Sequence, residues 1–232
     1  WYSGVPTMHQ GILMRAKKNM EQAKNLSLRF IRSSSASLPP AVFEELIDVF
    51  KAPVIEAYGM TEATHQMTSN PIPPGIQKAG FVGKPAGPDI CIMDIDGNKL
   101  EFGSEGEVCI RGDNVMPGYE NNEEANKLSF TDGWFRTGDQ GFFDKDGYLK
   151  ISGRLKEIIN RGGEKVSPLE IDNILMEHVA IEQVVTFGVK DKLLGEAIGA
   201  ALVLKNGFQC TEKELKEYAR QHLADFKIPK YI

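Results

Sequence analysis

The order of apolar segments over residues 28–58 is the sequence feature that most constrains the fold. Thr7 followed by Gln10 resembles a capping box that opens a first helix. The runs 28–32 and 54–58 each predict a short buried strand. Between them, a Pro-Pro pair precedes apolar residues that recur at the helical period over 42–50. A strand, a helix and a second strand in this order predict two parallel strands, and therefore an α/β fold.

Small and polar residues follow both predicted strands, in segments 33–37 and 59–62. Ligands of open α/β sheets bind beyond the carboxyl ends of the strands. We therefore expect the two loops to face one crevice.

The pattern changes twice further along the chain. Between 80 and 152, short apolar stretches alternate with Gly, Pro and Asp turns, which predicts a small antiparallel barrel or sheet. The Asp-Gly pairs at 96–97 and 146–147 predict hairpin turns. After Arg154, helix starts at Ser167 and Thr211 that resemble capping boxes, together with longer strands, predict a separate α+β unit. We expect one domain over 1–153, with an α/β part (1–79) and a β-barrel part (80–153), and a smaller domain over 154–232.

Composition and charge exclude several classes of protein. With 41% hydrophobic and 25% charged residues, the chain is neither disordered nor a coiled coil. A net charge of −5 disfavours general binding to nucleic acid or to an anionic membrane. The three cysteines share no short spacing, so no zinc site or disulfide framework is predicted and a reducing compartment is favoured. The longest uncharged apolar run, 197–204, is too short for a membrane span.

Two motifs place ligand-binding side chains near predicted strands. In Tyr-Gly-Met-Thr-Glu at 58–62, the ring can stack on a purine, the hydroxyl can donate to a phosphate and the carboxylate can hold Mg²⁺. The alternative is a turn with a buried Tyr. In Trp-Phe-Arg-Thr-Gly-Asp at 134–139, we expect Asp139 to follow a tight turn and accept both hydroxyls of a ribose, as acidic residues do in dinucleotide sites. The alternative is an Asp that satisfies its own turn.

A basic stretch lies at the expected domain boundary. Lys150, Arg154, Lys156, Arg161 and Lys165 surround a Gly-Gly pair. Cations at a boundary can follow a polyanion through a domain movement, and glycines let a ligand lie against bare backbone. The alternative is a solvated basic hairpin.

Taken together and in order, these motifs resemble the adenylate-forming superfamily, which includes acyl-CoA synthetases, 4-coumarate–CoA ligases and firefly luciferases. The resemblance covers essentially the whole chain and also includes Gly-Glu-Val-Cys-Ile-Arg-Gly at 106–112, Gly-Tyr at 118–119, Gly-Arg-Leu-Lys-Glu-Ile-Ile at 153–159 and Gly-Gly-Glu-Lys-Val-Ser-Pro at 162–168. Residues 56–65 and 160–165 look most like oxalate–CoA ligases of plants and fungi.

The resemblance implies the end of a large domain, with a parallel-sheet portion and a small β-barrel, followed by a small mobile C-terminal domain. It also implies a reaction in which a small carboxylic acid and ATP form an acyl-adenylate, which then acylates coenzyme A. Mg²⁺ would assist. The alternatives are a medium- or long-chain or aryl acyl-CoA synthetase, luciferase-like oxygenation, and a non-catalytic nucleotide- or partner-binding fragment.

Roles for individual residues also come from the resemblance. In the first domain, the nucleotide would be bound by Ser35, Ala36, Ser37, Glu56, Ala57, Tyr58, Gly59 and Asp139, with Tyr58 stacked on adenine and Asp139 on the ribose. Thr61 would contact the α-phosphate and Glu62 would hold Mg²⁺. We also expect His65 to hold a second carboxylate of a small diacid, the alternative being a capping or surface His.

In the second domain, the resemblance implies a group of residues that act on the adenylate and on coenzyme A. Arg154 would assist at the ribose, and Lys156 would form the hinge. Gly162 and Gly163 would flank the pantetheine channel, and Lys165 would act near the adenylate. An intracellular location, cytoplasmic or peroxisomal, is expected, and the oligomeric state cannot be read from the sequence.

Two elements of the superfamily have no match in these residues. They are the Ser/Thr/Gly-rich phosphate loop and the Pro-Lys-x-x-x-Gly-Lys element that carries the lysine for adenylation, so Lys230 is not that lysine. We expect the chain to be the C-terminal half of a longer protein, with its small domain incomplete at the end.

The isolated 232 residues are therefore predicted to form no acyl-adenylate. The measurement is ATP–pyrophosphate exchange with a panel of acids, with the full-length protein as the positive control. Exchange above background by the isolated segment would contradict the prediction.

Overall fold

The computed structural model describes residues 1–232, which form two compact units, Trp1–Ile151 and Ser152–Ile232. The expected division into enzyme domains at 153/154 stays a prediction.

The first sheet of the first unit contains the predicted parallel strands. In the order β1 (Tyr2–Gly4), β2 (Ile31–Ser33) and β3 (Val54–Tyr58), each strand runs parallel to its neighbour. The short strands β4 (Thr68–Ser69) and β5 (Lys84–Pro85) continue the sheet in antiparallel pairing. The expected strand, helix, strand order and its parallel pairing are confirmed.

Three helices belong to this sheet: α1 (Pro6–Lys18), α2 (Met20–Lys24) and α3 (Pro40–Phe50). α3 begins with proline at its first turn, where a missing backbone N–H costs nothing, and ends at Lys51 in the left-handed region, φ 49°. Its apolar stripe includes Phe43 and Leu46, which are buried in one cluster with Ile31 and Val54. The helical period therefore identified the buried face correctly.

Two local expectations in this part of the chain were wrong. β2 begins at Ile31 rather than at residue 28, because its position is set by the register that pairs Ile31 with Val54. At the start of α1, the N-cap is Val5 and no side chain caps the helix, so the apparent capping box at Thr7 does not form.

The second sheet of the first unit is antiparallel, as expected. It contains β6 (Asp89–Met93), β7 (Gly106–Arg111), β9 (Trp134–Phe143) and β10 (Leu149–Arg154) in the order β10-β9-β7-β6, with β8 (Phe130–Thr131) paired to β9. A short helix, α4 (Glu123–Ser129), precedes β8. The two predicted Asp-Gly turns are present, closed by hydrogen bonds from Asp94 to Asn98 and from Asp144 to Tyr148.

The second unit has an antiparallel sheet and two helices. The strands β11 (Ile159–Arg161), β12 (Glu164–Val166), β13 (Ile181–Asp191) and β14 (Gly195–Leu204) lie in the order β12-β11-β14-β13, and the helices are α5 (Pro168–Met176) and α6 (Glu212–His222). The expected capping box at Thr211 is confirmed, with Glu214 as its partner. The one at Ser167 is wrong, because that hydroxyl donates to the carbonyl oxygen of Ser152. None of the helices combines the length and apolarity needed to cross a membrane.

Candidate functional site

The carboxyl ends of β2 and β3 carry the two loops that the sequence singled out. Because Ser33 pairs with Glu56 in parallel register, the segments 34–37 and 59–65 leave the sheet at the same edge. Ser35, Ala36 and Ser37 are exposed there, with Ser35 in the left-handed region at φ 73°. Both loops thus begin at one edge of the sheet, and the crevice that they are expected to share stays a prediction.

A hydrogen bond joins this edge to the second sheet. The hydroxyl of Tyr58 donates to Oδ2 of Asp139 across 2.5 Å. Tyr58 packs against two apolar clusters, one around Phe135 and one around Val108 and Leu149, while Asp139 is 3% exposed. The structure therefore brings together two motifs that lie far apart in the sequence.

The backbone at Asp139 differs from the sequence expectation. Asp139 does not follow a tight turn but lies within β9, where Cys109 pairs with Arg136 while Glu107 pairs with Gln140. β9 thus bulges at residues 137–139, with Gly138 at φ 73°. A bulge re-aims the side chain that it carries, and here it directs Asp139 towards Tyr58.

The loop that carries Thr61 and Glu62 is fixed by a second segment, 114–119. Thr61 is exposed in a single 3-10 turn, Thr61–Ala63, and the carbonyl oxygen of Glu62 accepts a hydrogen bond from Met116 N–H at 2.8 Å. The side-chain amide of Asn114 donates to the carbonyl oxygen of Ala63 at 2.9 Å, and the Tyr119 hydroxyl donates to Oε1 of Glu62 at 3.0 Å.

Asn114 and Tyr119 were missed as site residues by sequence reasoning. Burial, together with the hydrogen bond to Glu62, raises the pKa of Tyr119, so this phenol keeps the proton that it donates. The sequence did mark Tyr119 through the Gly-Tyr pair at 118–119, which contributed to the resemblance. That pair gave no indication that the hydroxyl would bond to Glu62.

Gly59 and His65 lie at opposite ends of the same loop, where their backbones come into close contact. A Cβ on Gly59 would lie 2.0 Å from the carbonyl oxygen of His65, so only glycine fits at this position. His65 is exposed, its backbone is left-handed at φ 65°, and its N–H donates to the carbonyl oxygen of Met60 at 3.0 Å. The backbone therefore holds His65 in place and leaves its imidazole facing solvent.

Glu56 and Ala57 are buried in β3, unlike the neighbouring loop residues. The Glu56 carboxylate accepts hydrogen bonds from the backbone N–H groups of Leu38 and Gly80. Burial raises the pKa of Glu56 to about 8. Its carboxylate thus holds the backbone at Leu38 and Gly80, and the expected contact of Glu56 with the nucleotide stays a prediction.

The remaining predicted residues lie in the second unit. Arg154 ends β10 and Lys156 lies in the following 3-10 turn, Leu155–Glu157. Gly162 and Gly163 form the turn between β11 and β12 at φ 60° and 94°, and Lys165 is exposed on β12. The roles that the resemblance implies for these residues stay predictions.

The first-unit residues form a set suited to a nucleotide. It offers an aromatic ring, an acidic residue beside that ring, a hydroxyl and a half-buried carboxylate. Mg²⁺ is usually held by one or two carboxylates together with substrate phosphates and water. The donor set at Glu62 fits that pattern, since the turn offers one half-buried carboxylate next to the exposed hydroxyl of Thr61.

Comparison with known proteins gives matches along the whole chain. The family model described as AMP-binding enzyme matches residues 1–120, and the one described as AMP-binding enzyme C-terminal domain matches 170–232. Oxalate–CoA ligases from Arabidopsis thaliana and Saccharomyces cerevisiae are 52% and 51% identical, over 100% and 99% of this chain. The chain spans 45% and 42% of the lengths of those two relatives.

Solved structures agree with this result. ATP-bound MatB from Rhodopseudomonas palustris is similar over 99% of this chain and 46% of its own, with a TM-score of 0.91 and 32% identity. The o-succinylbenzoate coenzyme A synthetase of Bacillus subtilis, in complex with ATP and magnesium, has a TM-score of 0.84 and 33% identity over 99% of this chain and 46% of its own.

The raised pKa of Glu56 predicts a pH-dependent stability of the first unit. The folded state keeps a proton that the unfolded state releases between pH 4.5 and about 8, so stability falls as pH rises through that window, by up to about 1.4 kcal/mol per pH unit. Glu56→Gln removes this titration.

The measurement is the urea midpoint at pH 6 and pH 8, followed by tryptophan fluorescence. Trp1 and Trp134, the two tryptophans of the chain, both lie in the first unit, so the signal reports that unit alone. We expect the midpoint of the wild-type chain to fall more than that of the variant. Equal falls in both proteins would show that Glu56 is ionised in the fold.

Proposed function

The chain belongs to the family of AMP-binding enzymes, and from that premise we propose that the whole protein is an ATP-dependent acid–CoA ligase whose acid is oxalate. The observation that carries the proposal is the 51–52% identity to two oxalate–CoA ligases along the entire chain. The contact between Tyr58 and Asp139, beside the Glu62 loop, supports it with a nucleotide-binding arrangement.

The proposed reaction has two steps. A carboxylate oxygen of the acid attacks the α-phosphorus of ATP, and the bond to the β-phosphate breaks, releasing pyrophosphate. The thiol of coenzyme A then loses its proton, its sulfur attacks the acyl carbon, and AMP leaves. Both steps need the adenosine to be held firmly while charge develops on phosphate oxygens.

The first unit would hold the nucleotide. We propose that adenine stacks on Tyr58 beside the loop 35–37, and that Asp139 accepts hydrogen bonds from the ribose hydroxyls. Asp139 already accepts a hydrogen bond from Tyr58 through Oδ2, so one carboxylate would position both the ring and the sugar. The exposed hydroxyl of Thr61 would then donate to the α-phosphate.

Glu62 would hold Mg²⁺, which neutralises charge on the phosphates when it is bound. The hydrogen bond from Tyr119 to Oε1 fixes the carboxylate, so its orientation is set before any ligand arrives. In the second unit, we propose that Arg154 assists at the ribose, Lys156 acts as the hinge, Gly162 and Gly163 border the pantetheine, and Lys165 lies near the adenylate.

Coenzyme A and ATP are metabolites of the cell interior, which supports an intracellular location. We propose the cytoplasm or the peroxisome.

The test is acid-dependent release of AMP and pyrophosphate by the full-length protein, supplied with ATP, Mg²⁺ and coenzyme A. Oxalate is expected to be the best substrate in a panel with malonate, succinate, acetate, octanoate and 4-coumarate. Glu62→Gln should lower the rate by about 100-fold, and Tyr119→Phe, which keeps the carboxylate, by about threefold. Turnover of a longer or aromatic acid in preference to oxalate would replace the proposed substrate, and nucleotide binding without turnover would indicate a non-catalytic protein.

His65 is predicted to contribute to the choice of acid. If its imidazole holds the second carboxylate of oxalate, His65→Ala should reduce the preference for oxalate over acetate by about tenfold in kcat/KM. His65→Asn is the matched control, because Asn tolerates a left-handed backbone and keeps a hydrogen-bond donor. An unchanged preference in the Ala variant would assign His65 to the protein surface.

A further inference from the structure

Behind the bulge that carries Asp139 lies a buried ion pair on the other face of the sheet. Val108 packs in the same cluster as Tyr58, whereas Cys109, the next residue of β7, packs with Trp134. Because side chains alternate along a strand, Glu107 lies on the Cys109 face and does not reach the Tyr58 side. Glu107 is buried, with only 7% of its surface exposed, so its charge must be satisfied within the protein.

The carboxylate of Glu107 satisfies two groups of the bulged strand at once. Oε2 accepts a hydrogen bond from Nε of Arg136 at 2.7 Å and forms an ion pair with Nη2 of the same guanidinium at 2.6 Å. Oε1 accepts the backbone N–H of Gly138 at 2.9 Å. Gly138 is the residue of the bulge with φ 73°, a conformation that leaves its N–H outside the regular ladder.

The rest of the bulge depends on the same local geometry. The Thr137 hydroxyl donates to the carbonyl oxygen of Val108 at 2.8 Å and accepts the N–H of Asp139 at 3.1 Å. Both bulge residues that precede Asp139, Thr137 and Gly138, are therefore attached to β7. A change in the position of Gly138 would rotate the backbone that directs the Asp139 carboxylate.

We propose that Glu107 is a positioning residue for nucleotide binding, which holds the bulge at Gly138 so that the Asp139 carboxylate meets both Tyr58 and the ribose. The proposal rests on the proposed role of Asp139 and adds a residue that does not touch the nucleotide. Glu107→Gln is the informative change, because it replaces one of the two acceptor oxygens by an NH2 group. The amide therefore cannot accept from both Gly138 and Arg136 as the carboxylate does. The neutral side chain also leaves Arg136 without its charged partner.

The experiment measures the equilibrium binding of AMP and of 2′,3′-dideoxy-AMP to the full-length protein by calorimetry. Glu107→Gln is expected to weaken AMP binding by about tenfold and dideoxy-AMP binding by less than about twofold, as Asp139→Asn should. Cys109→Ala, a buried change on the same strand and face, is the matched control for lost stability and should affect the two nucleotides equally.

Three results would overturn the positioning role. They are an equal loss for both nucleotides in Glu107→Gln, no loss for either, and wild-type protein that does not bind AMP. Because binding is measured without an acid or coenzyme A, a protein that binds AMP with this selectivity but turns over no acid would contradict the proposed ligase activity and leave the role of Glu107 standing.

Discussion

The hydrogen bond between Tyr58 and Asp139 connects the parallel sheet to the antiparallel sheet at the candidate site. The two residues are 81 positions apart, so the contact closes a long loop whose entropic cost must be offset by packing elsewhere. That packing is present on both sides, because Tyr58 contacts buried clusters around Phe135 and around Val108. Both partners belong to strands, which hold side chains more rigidly than loops do. The loop that carries Glu62 therefore begins at a residue, Tyr58, whose position is fixed.

The parts of the fold that follow from local patterns were predictable, and the parts set by long-range register were not. α3 and β3 lie where helical periodicity and an apolar run predict them, since the burial of each is encoded in its own residues. β2 is displaced because Ile31 must pair with Val54, while Leu28 packs against the core from outside the strand. Local hydrophobicity cannot distinguish a strand residue from a loop residue that is merely buried.

The candidate site shows the same division. The chemistry of Tyr58 and Asp139 could be read from their motifs, but the bulge that directs Asp139 depends on Glu107, which lies on another strand. Glu56 shows the same dependence on tertiary contacts, since its carboxylate lies beside a binding motif in the sequence and is buried against the backbone N–H groups of Leu38 and Gly80. Residue type indicates what a side chain can do, whereas its direction is decided by tertiary contacts.

The close approach of Gly59 to the carbonyl oxygen of His65 separates shape from chemistry in this loop. The path of the backbone depends on the missing Cβ of Gly59, whereas the exposed chemical group is the side chain of residue 65. The backbone at residue 65 is therefore held in place, whereas its exposed side chain is free to differ. A substitution at residue 65 can therefore change the exposed side chain while the turn that Gly59 permits keeps its form.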